Sequence, residues 1–466
     1  MEKSSAMKRS RIFPELPIIL PVQVAPQRML GWRIGIFQGG CRCKFPACAG
    51  MTGKAAGMVL LFITLQTGNA AAYELRGHIK PQWNAANIPG DSLLQNFSDD
   101  PAQDTAIDAR VNLLANSGDW SWRSDYQLQA RQGDLLELQQ RYPQFGFNAA
   151  ALTDDERRVF DLTHRISDHD DHVISHRLDR LYLSHTSDKT VLKAGRQVVS
   201  WGNGIIYNPV DFFNPFDPAA VDTEYKTGDD MLYAQYLQAS GNDLQAVWVG
   251  RRDDDDDVTA DVSSLALKYH FFLDSSEFDV LAAEHYDAQV FALGAVVDSA
   301  GAIWRGDIML TDTDDEQFTS AVLNWSYAWI AGGKNLTVTL EYFYNGFGID
   351  DGDYDPQALS RNPELVSRIE RGELFTLAEN YFATAATIEL APLWLLTGSL
   401  FRNLDDNSML VQIFSQYDLQ QDLQLLVGIN LPSGSDGSEF GGIDSGVPDQ
   451  SLAIGTSVFA QLAWYF

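Results

Sequence analysis

The sequence predicts an all-β fold, a transmembrane antiparallel up-and-down β-barrel of about 18 strands, with 16 as the alternative. Three observations predict it. From residue 74 onward, apolar residues mostly alternate with polar or small ones. Connections between the alternating runs are short and long in strict rotation. The final run ends on an aromatic residue, Phe466.

The first 72 residues do not share this pattern. Residues 51–72 read MTGKAAGMVLLFITLQTGNAAA, with Lys54 as a positive start, Val59 to Leu65 as an apolar centre and Ala70 to Ala72 as small cleavage-site residues. This is the pattern of a signal peptide cut before Tyr73. We read Met51 or Met58 as the true start and residues 1–50 as a mis-called N-terminal extension; a genuine cytoplasmic leader is the alternative. The barrel then occupies 73–466. Cys41, Cys43 and Cys48 all fall in the extension, so the barrel needs no disulfide. Of 33 basic and 63 acidic residues, 9 and 2 precede residue 73, leaving 24 against 61. Such an acidic chain lacks the basic face that a nucleic acid requires. No apolar run after residue 72 reaches the roughly 18 residues of a spanning helix.

Period-2 runs are plain at 321–329, 336–344 and 423–431. In the first, Ala321, Leu323, Trp325, Tyr327 and Trp329 share one face, opposite Asn324 and Ser326. In the second, Leu336 to Tyr344 alternate with Thr337, Thr339 and Glu341. Two faces of such different character suit a strand between lipid and water. The candidate strands lie near 74–84, 104–116, 119–131, 174–186, 189–200, 228–240, 243–251, 260–271, 276–286, 289–298, 301–311, 317–329, 334–345, 380–391, 393–402, 407–417, 421–431 and 451–466. After even strands the connections are tiny, as at Ser187-Asp188 and Gly332-Gly333. After odd strands come the long segments 85–103, 132–173, 201–227, 346–379 and 432–450. Short periplasmic turns and long external loops are sorted this way in outer-membrane barrels.

In the last run, Val458, Ala460, Leu462, Trp464 and Phe466 share one face. This ending resembles the signal read by the outer-membrane barrel-assembly machinery, with Leu462, Trp464 and Phe466 as its residues. Trp325, Trp329, Tyr342, Tyr344, Trp464 and Tyr465 are the expected outward girdle aromatics. Outer-membrane lipid and lipopolysaccharide are then the surroundings.

The segment 195–230 is the richest. It reads GRQVVSWGNGIIYNPVDFFNPFDPAAVDTEYKTGDD. Exposed to water, its aromatics Trp201, Tyr207, Phe212, Phe213, Phe216 and Tyr225 would form an uncovered apolar patch. In lipid, its irregular backbone would carry unpaired polar groups. Folding 201–227 into the lumen avoids both costs. The segment would narrow a pore, with Asp211, Asp217, Asp222 and Glu224 facing inward cations such as Arg196. GRQ (Gly195 to Gln197), SWG (Ser200 to Gly202) and NPVDFFNPFDP (Asn208 to Pro218) resemble a motif of a proteobacterial outer-membrane β-barrel porin-like family. That family is in turn similar to the alginate-export type of porin. The resemblance implies an outer-membrane channel and no particular substrate; the acidic surplus argues against alginate itself.

Charged residues in strand interiors avoid lipid, which nominates Arg123, Arg177, Lys193, Lys268, Arg305 and Arg402 as lumen-lining. Whether they select solute or pair with carboxylates stays open. Five of the 8 histidines lie in 164–185. On a helix, His172 and His176 would share a face, and with His169 they are candidate ligands for Zn²⁺ or Cu²⁺; a solvated loop is the bland alternative. The runs Asp253–Asp257 and Asp312, Asp314, Asp315, Glu316 are candidate Ca²⁺ or Mg²⁺ sites or simply solvated charge. No cofactor is otherwise implied. The chain carries no G-x-S-x-G elbow, so no enzyme is expected. The function these observations imply is a channel for a small hydrophilic solute or a polymer. The alternatives are a structural or receptor barrel with an occluded lumen, or a hydrolase at the barrel rim.

Overall fold

Residues whose side chains alternate between two solvents become strands whose backbones must pair, and here they do. A computed structural model describes residues 72–141 and 154–466. The leader, the extension and its cysteines lie outside the described residues, apart from Ala72.

The chain forms β1 (Ala72–Ala86), β2 (Ala102–Ser117), β3 (Trp120–Gly133), helix α1 (Asp134–Arg141), β4 (Thr163–His169), β5 (His172–Thr186), β6 (Thr190–Gln197), β7 (Asp229–Leu237), β8 (Asp243–Val249), β9 (Ser264–Leu273), β10 (Ser276–His285), β11 (Ala288–Ser299), β12 (Ala302–Asp312), β13 (Gln317–Ala331) and β14 (Lys334–Tyr344). Then come α2 (Pro356–Ser360), α3 (Pro363–Glu370), β15 (Asn380–Ala391), β16 (Trp394–Asn403), β17 (Met409–Gln420), β18 (Leu423–Ser433), the two-residue strands β19 (Ile443–Asp444) and β20 (Ser451–Leu452), and β21 (Ser457–Tyr465). All pairs in the main sheet are antiparallel. β21 pairs with β18 on one side and β1 on the other, with His78 opposite Tyr465 and Ala86 opposite Ser457. The sheet is therefore a closed ring of 18 strands, with β4 as an additional rim strand. The helices, β4, β19 and β20 all belong to the long connections.

The outward register carries the apolar residues. On β11, Phe291 and Leu293 are 53% and 57% exposed, while Val290 and Ala292, which alternate with them, are buried. Leu265, Leu267, Ile308, Leu310 and Leu323 continue this outer belt. A belt of that extent suits hydrocarbon rather than water. Trp329, Tyr342, Trp394, Tyr417 and Trp464 are exposed on the outer surface. Tyr465 departs from the expected girdle. It has the opposite parity to Trp464 and points inward, where its hydroxyl donates to Glu224 at 3.0 Å.

Arg402 also departs from expectation. Phe401 and Asn403 are the buried, inward residues of β16, so Arg402 takes the outward register and donates to Asn407 at 3.0 Å. It sits one residue from the external end of its strand, where an outward charge reaches water at little cost.

Depth sets the cost of charge on this belt. Leu293→Arg, at mid-strand, is expected to destabilise the barrel by about 2–4 kcal/mol, and Leu404→Arg, at the rim, by about 0–1 kcal/mol. Reversible urea unfolding from lipid vesicles measures both; equal costs would contradict the placement of the belt.

Candidate functional site in the lumen

The site begins where β6 leaves the wall. Gly195 has φ +119°, and a Cβ there would strike the Leu181 carbonyl, so the strand end requires glycine. Arg196 is 2% exposed. Its guanidinium meets both Asp155 oxygens at 2.8 and 2.9 Å and both Asp230 oxygens at 2.9 and 3.0 Å. It therefore fastens β6 to β7 and to the segment 154–162. It does not face Asp211, Asp217, Asp222 or Glu224, because two nearer carboxylates saturate it. Above this point β5 pairs with β4 instead of β6, from Thr163 opposite Arg177 to His169 opposite His172. The Phe160 N–H donates to Asp230 at 2.8 Å, and Arg158 bridges to Arg251. Thus β4 and 154–162 take over the wall that β6 abandons.

The connection 198–228 then runs round the inner wall. Trp201 Nε1 donates to Gln245 of β8 at 2.8 Å. The Asn203 backbone and side chain donate to Asp307 of β12 at 2.6 and 2.7 Å. Three successive N–H groups, those of Ile205, Ile206 and Tyr207, donate to Glu341 of β14 at 2.9, 3.1 and 2.5 Å. The Tyr207 ring stacks on Phe343 at 4.9 Å. Further on, Gln412 of β17 donates to the Ala219 carbonyl at 2.8 Å. Lys80 of β1 donates to Asp222 at 2.7 Å and to Glu224 at 2.6 Å. Asn112 of β2 reaches the Tyr225 hydroxyl at 3.0 Å, and the Arg110 guanidinium lies 4.1 Å from that ring. The segment closes on itself through Lys226, whose ammonium meets Asp211 at 2.5 and 2.6 Å. Its apolar residues Trp201, Tyr207, Phe212 and Phe213 are buried in one cluster with inward wall residues.

These contacts perturb the segment's carboxyls. Burial pushes Asp211 up to about 6 against the pull of Lys226. Burial pushes Asp217 up to about 7, countered only by the Ala219 N–H. Phe216 is half-buried and helps to line a cavity of about 350 Å³ with Arg123, Tyr182, Lys193, Glu224 and Tyr225.

Five of the six nominated strand cations face the lumen, with different partners. Arg123 pairs with Asp125 at 2.9 Å, Arg177 with Asp179 at 3.1 Å and Lys268 with Asp279 at 3.1 Å. Lys193 has no ion-pair partner among the described residues; its ammonium lies 5.2 Å from the Tyr233 ring and 5.7 Å from that of Tyr182. Arg305 hydrogen-bonds the neutral Asn324 and Ser326, at 3.4 and 3.1 Å, and has no ion pair among the described residues.

Sequence reasoning missed Lys80, Asp307 and Glu341 as anchors, although their parity in the alternation marks them as inward. It also missed a chain of polar groups at the external end of β9 and β10. Ser264 and His285 are direct cross-strand partners. Arg251 donates to Ser264 Oγ at 2.7 Å, Ser264 Oγ lies 2.7 Å from His285 Nδ1, and His285 Nε2 lies 2.9 Å from Glu373 Oε1. The His285 ring also meets Phe212 at 4.8 Å and Phe213 at 5.8 Å. Ser264 is 2% exposed, and an arginine occupies its oxygen. The chain of bonds acts as a latch joining the external connection 345–379 to the lumen segment.

The histidines lie on a β-hairpin, not a helix, because residues 163–177 continue the wall. His169 and His172 therefore oppose each other across the Asp170-Asp171 turn, and His176 opposes His164. Among the described residues no three or more His, Cys, Asp or Glu converge to hold a metal ion, the acidic runs included. The Asp253 carboxylate instead accepts the N–H groups of Asp255 and Asp257 at 3.0 and 3.1 Å. Leu462, Trp464 and Phe466 are exposed on the outward face.

Fold and lumen together define a transmembrane antiparallel barrel whose interior holds a polar-anchored collar. No family model and no curated protein matches the chain. Among solved structures it is similar to OccAB1 of Acinetobacter baumannii, with 10% identity, 84% of this chain and 96% of that chain covered, and a TM-score of 0.49. It is also similar to a BenF-like porin from Pseudomonas fluorescens Pf-5 (10% identity, 85% and 99% covered, TM-score 0.48). The outer-membrane protein opdK of Pseudomonas aeruginosa gives 8% identity, 84% and 99% covered, and a TM-score of 0.46. The fold assignment stands on the strand pairing itself, and the likeness to the alginate-export type rests on the motif alone.

Two measurements test the collar. Glu341→Gln leaves a neutral acceptor for three N–H groups and is expected to weaken local docking by about 1–3 kcal/mol. Hydrogen exchange at 203–208 should quicken accordingly. The raised Asp217 carboxyl also sets a sign: between its ordinary 3.8 and about 7 the docked segment holds a proton that the undocked one releases. Docking is therefore strongest below about 4 and declines as pH rises through about 7. Asp211 acts in the same direction. Asp217→Asn should flatten that dependence; an unchanged slope would contradict the burial of Asp217.

Proposed function

We propose that the protein is an outer-membrane channel that admits small hydrophilic solutes past a constriction formed by 198–228. One observation carries the reading: an irregular segment circles the interior on polar anchors from β8, β12, β14, β17, β1 and β2 and leaves a cavity beside Lys193, whose ammonium has no ion pair among the described residues. A pore walled only by strands would have no need of such a collar. A narrowed, charged passage favours a small solute over a polymer. Lys193 and Arg305, which have no ion pair among the described residues, are available to meet an anionic group of the solute. The outward residues Leu462, Trp464 and Phe466 suit recognition by the barrel-assembly machinery, and the apolar belt suits outer-membrane lipid with lipopolysaccharide.

The buried aromatics Trp201, Tyr207, Phe212 and Phe213 favour a second reading, a structural or receptor barrel with an occluded lumen. Single-channel recording in planar bilayers separates the two. A channel conducts, a barrel lacking 203–222 conducts more, and Lys193→Glu shifts selectivity toward cations. Equal conductance with and without the segment would overturn the constriction, and a silent intact barrel would favour occlusion.

A further inference from the structure

The β4–β5 hairpin rises beyond the point where β6 turns inward, and it carries four imidazoles on one face. Arg177 points inward, donating to Gln127 at 2.8 Å, and Val173 is buried on the same side. His172, Ile174 and His176 therefore share the outward side. Opposite them on β4 stand His169 and His164, in direct register with His172 and His176. The ring centroids are 4.7 Å apart in the first pair and 5.6 Å in the second, with the rings near perpendicular at 73° and 71°.

Those separations have a chemical meaning. A tetrahedral ion with metal–nitrogen bonds of about 2.0–2.1 Å holds two imidazole centroids about 5 Å apart. Both pairs are close to that spacing, but they differ in availability. His172 is engaged at both nitrogens, by Ser167 at 3.0 Å and by Asp171 at 3.0 Å. Among the described residues, neither His164 nor His176 has a hydrogen-bond or ion-pair partner. Their ring contacts are with each other and, for His176, with Tyr126 at 5.6 Å. Beyond this edge-to-face contact and the Tyr126 ring, the lone pairs of the two imidazoles have no partner among the described residues, and a shared cation supplies one.

We propose that His164 and His176 form a two-imidazole site for a divalent transition cation on the outer face of this hairpin. Imidazole nitrogen selects the Cu²⁺, Ni²⁺ and Zn²⁺ class, whereas Ca²⁺ and Mg²⁺ require oxygen ligands. Water completes the coordination of so open a site, so the ion exchanges readily. The pair differs from the grouping of His169, His172 and His176 that a helix would bring together, because strand register, not helical spacing, decides which rings meet.

The test is calorimetric titration of the intact detergent-solubilised barrel with CuCl₂, NiCl₂ and ZnCl₂, with MgCl₂ as control, and electron paramagnetic resonance of the Cu²⁺ form. One ion per chain is expected, with a two-nitrogen signature. His164→Ala and His176→Ala should each lower affinity by at least about 10- to 100-fold, the loss that even an outer-shell partner produces. His169→Ala and His172→Ala should leave it within a few-fold. All four substitutions fall on one exposed hairpin and so control for one another's folding. The proposal is overturned if the intact protein shows no saturable binding, if the His164/His176 double variant still binds, or if the His169 and His172 variants lose binding as fully as the other two.

Discussion

Everything in this molecule depends on the sheet having no free edge. In hydrocarbon an unpaired N–H or C=O finds no water, and each costs several kcal/mol. The seam between β1 and β21 removes the last edge. Gly77 and Phe466 exchange backbone hydrogen bonds at 2.9 and 3.0 Å, so pairing runs to the final residue. Position 77 takes glycine for a local reason: a Cβ there would strike the Arg110 carbonyl and the Phe466 ring. The terminal aromatic thus lies over the closing pair, on the side that faces lipid.

The same constraint governs the interior. When β6 leaves the wall after Gln197, it exposes the edges of β5 and β7. The chain answers with β4 on one edge and 154–162 near the other, and Arg196 ties the three together through Asp155 and Asp230. Inside the barrel the departing segment has no ladder of its own. Side chains of the wall supply it with acceptors, and Glu341 alone takes three consecutive N–H groups. Asp307 and Glu341 sit on this lumen wall as acceptors for donors that strands would otherwise satisfy.

Period 2 is a local property, which is why the strands, their parity and the sorting of long loops were legible in the sequence. Asn324, Glu341 and Asn430 face inward as the alternation requires, and Leu323, Tyr342 and Val427 face outward. What could not be read was decided by contacts distant along the chain. β4 is a strand only because β6 stops early. Arg196 prefers Asp155, 41 residues away, to the nearby carboxylates of its own connection. Arg402 follows an apolar pair, Leu400 and Phe401, so local alternation did not fix its side. The histidine spacing fitted a helix as well as a hairpin until strand register chose between them.

For the proposed channel, the way each lumen charge is used bears on selectivity. Cations that anchor the collar or neutralise wall carboxylates have their charge matched within about 3 Å, as at Lys80, Lys226 and Arg177. In the proposed channel, a solute would have to displace a carboxylate to reach them. Lys193 and Arg305 have no ion pair among the described residues: Lys193 lies near the Tyr182 and Tyr233 rings, and Arg305 hydrogen-bonds Asn324 and Ser326. A lumen rich in charge can therefore present few sites to a solute, and substitution at those few should alter selectivity while the anchored majority alters stability.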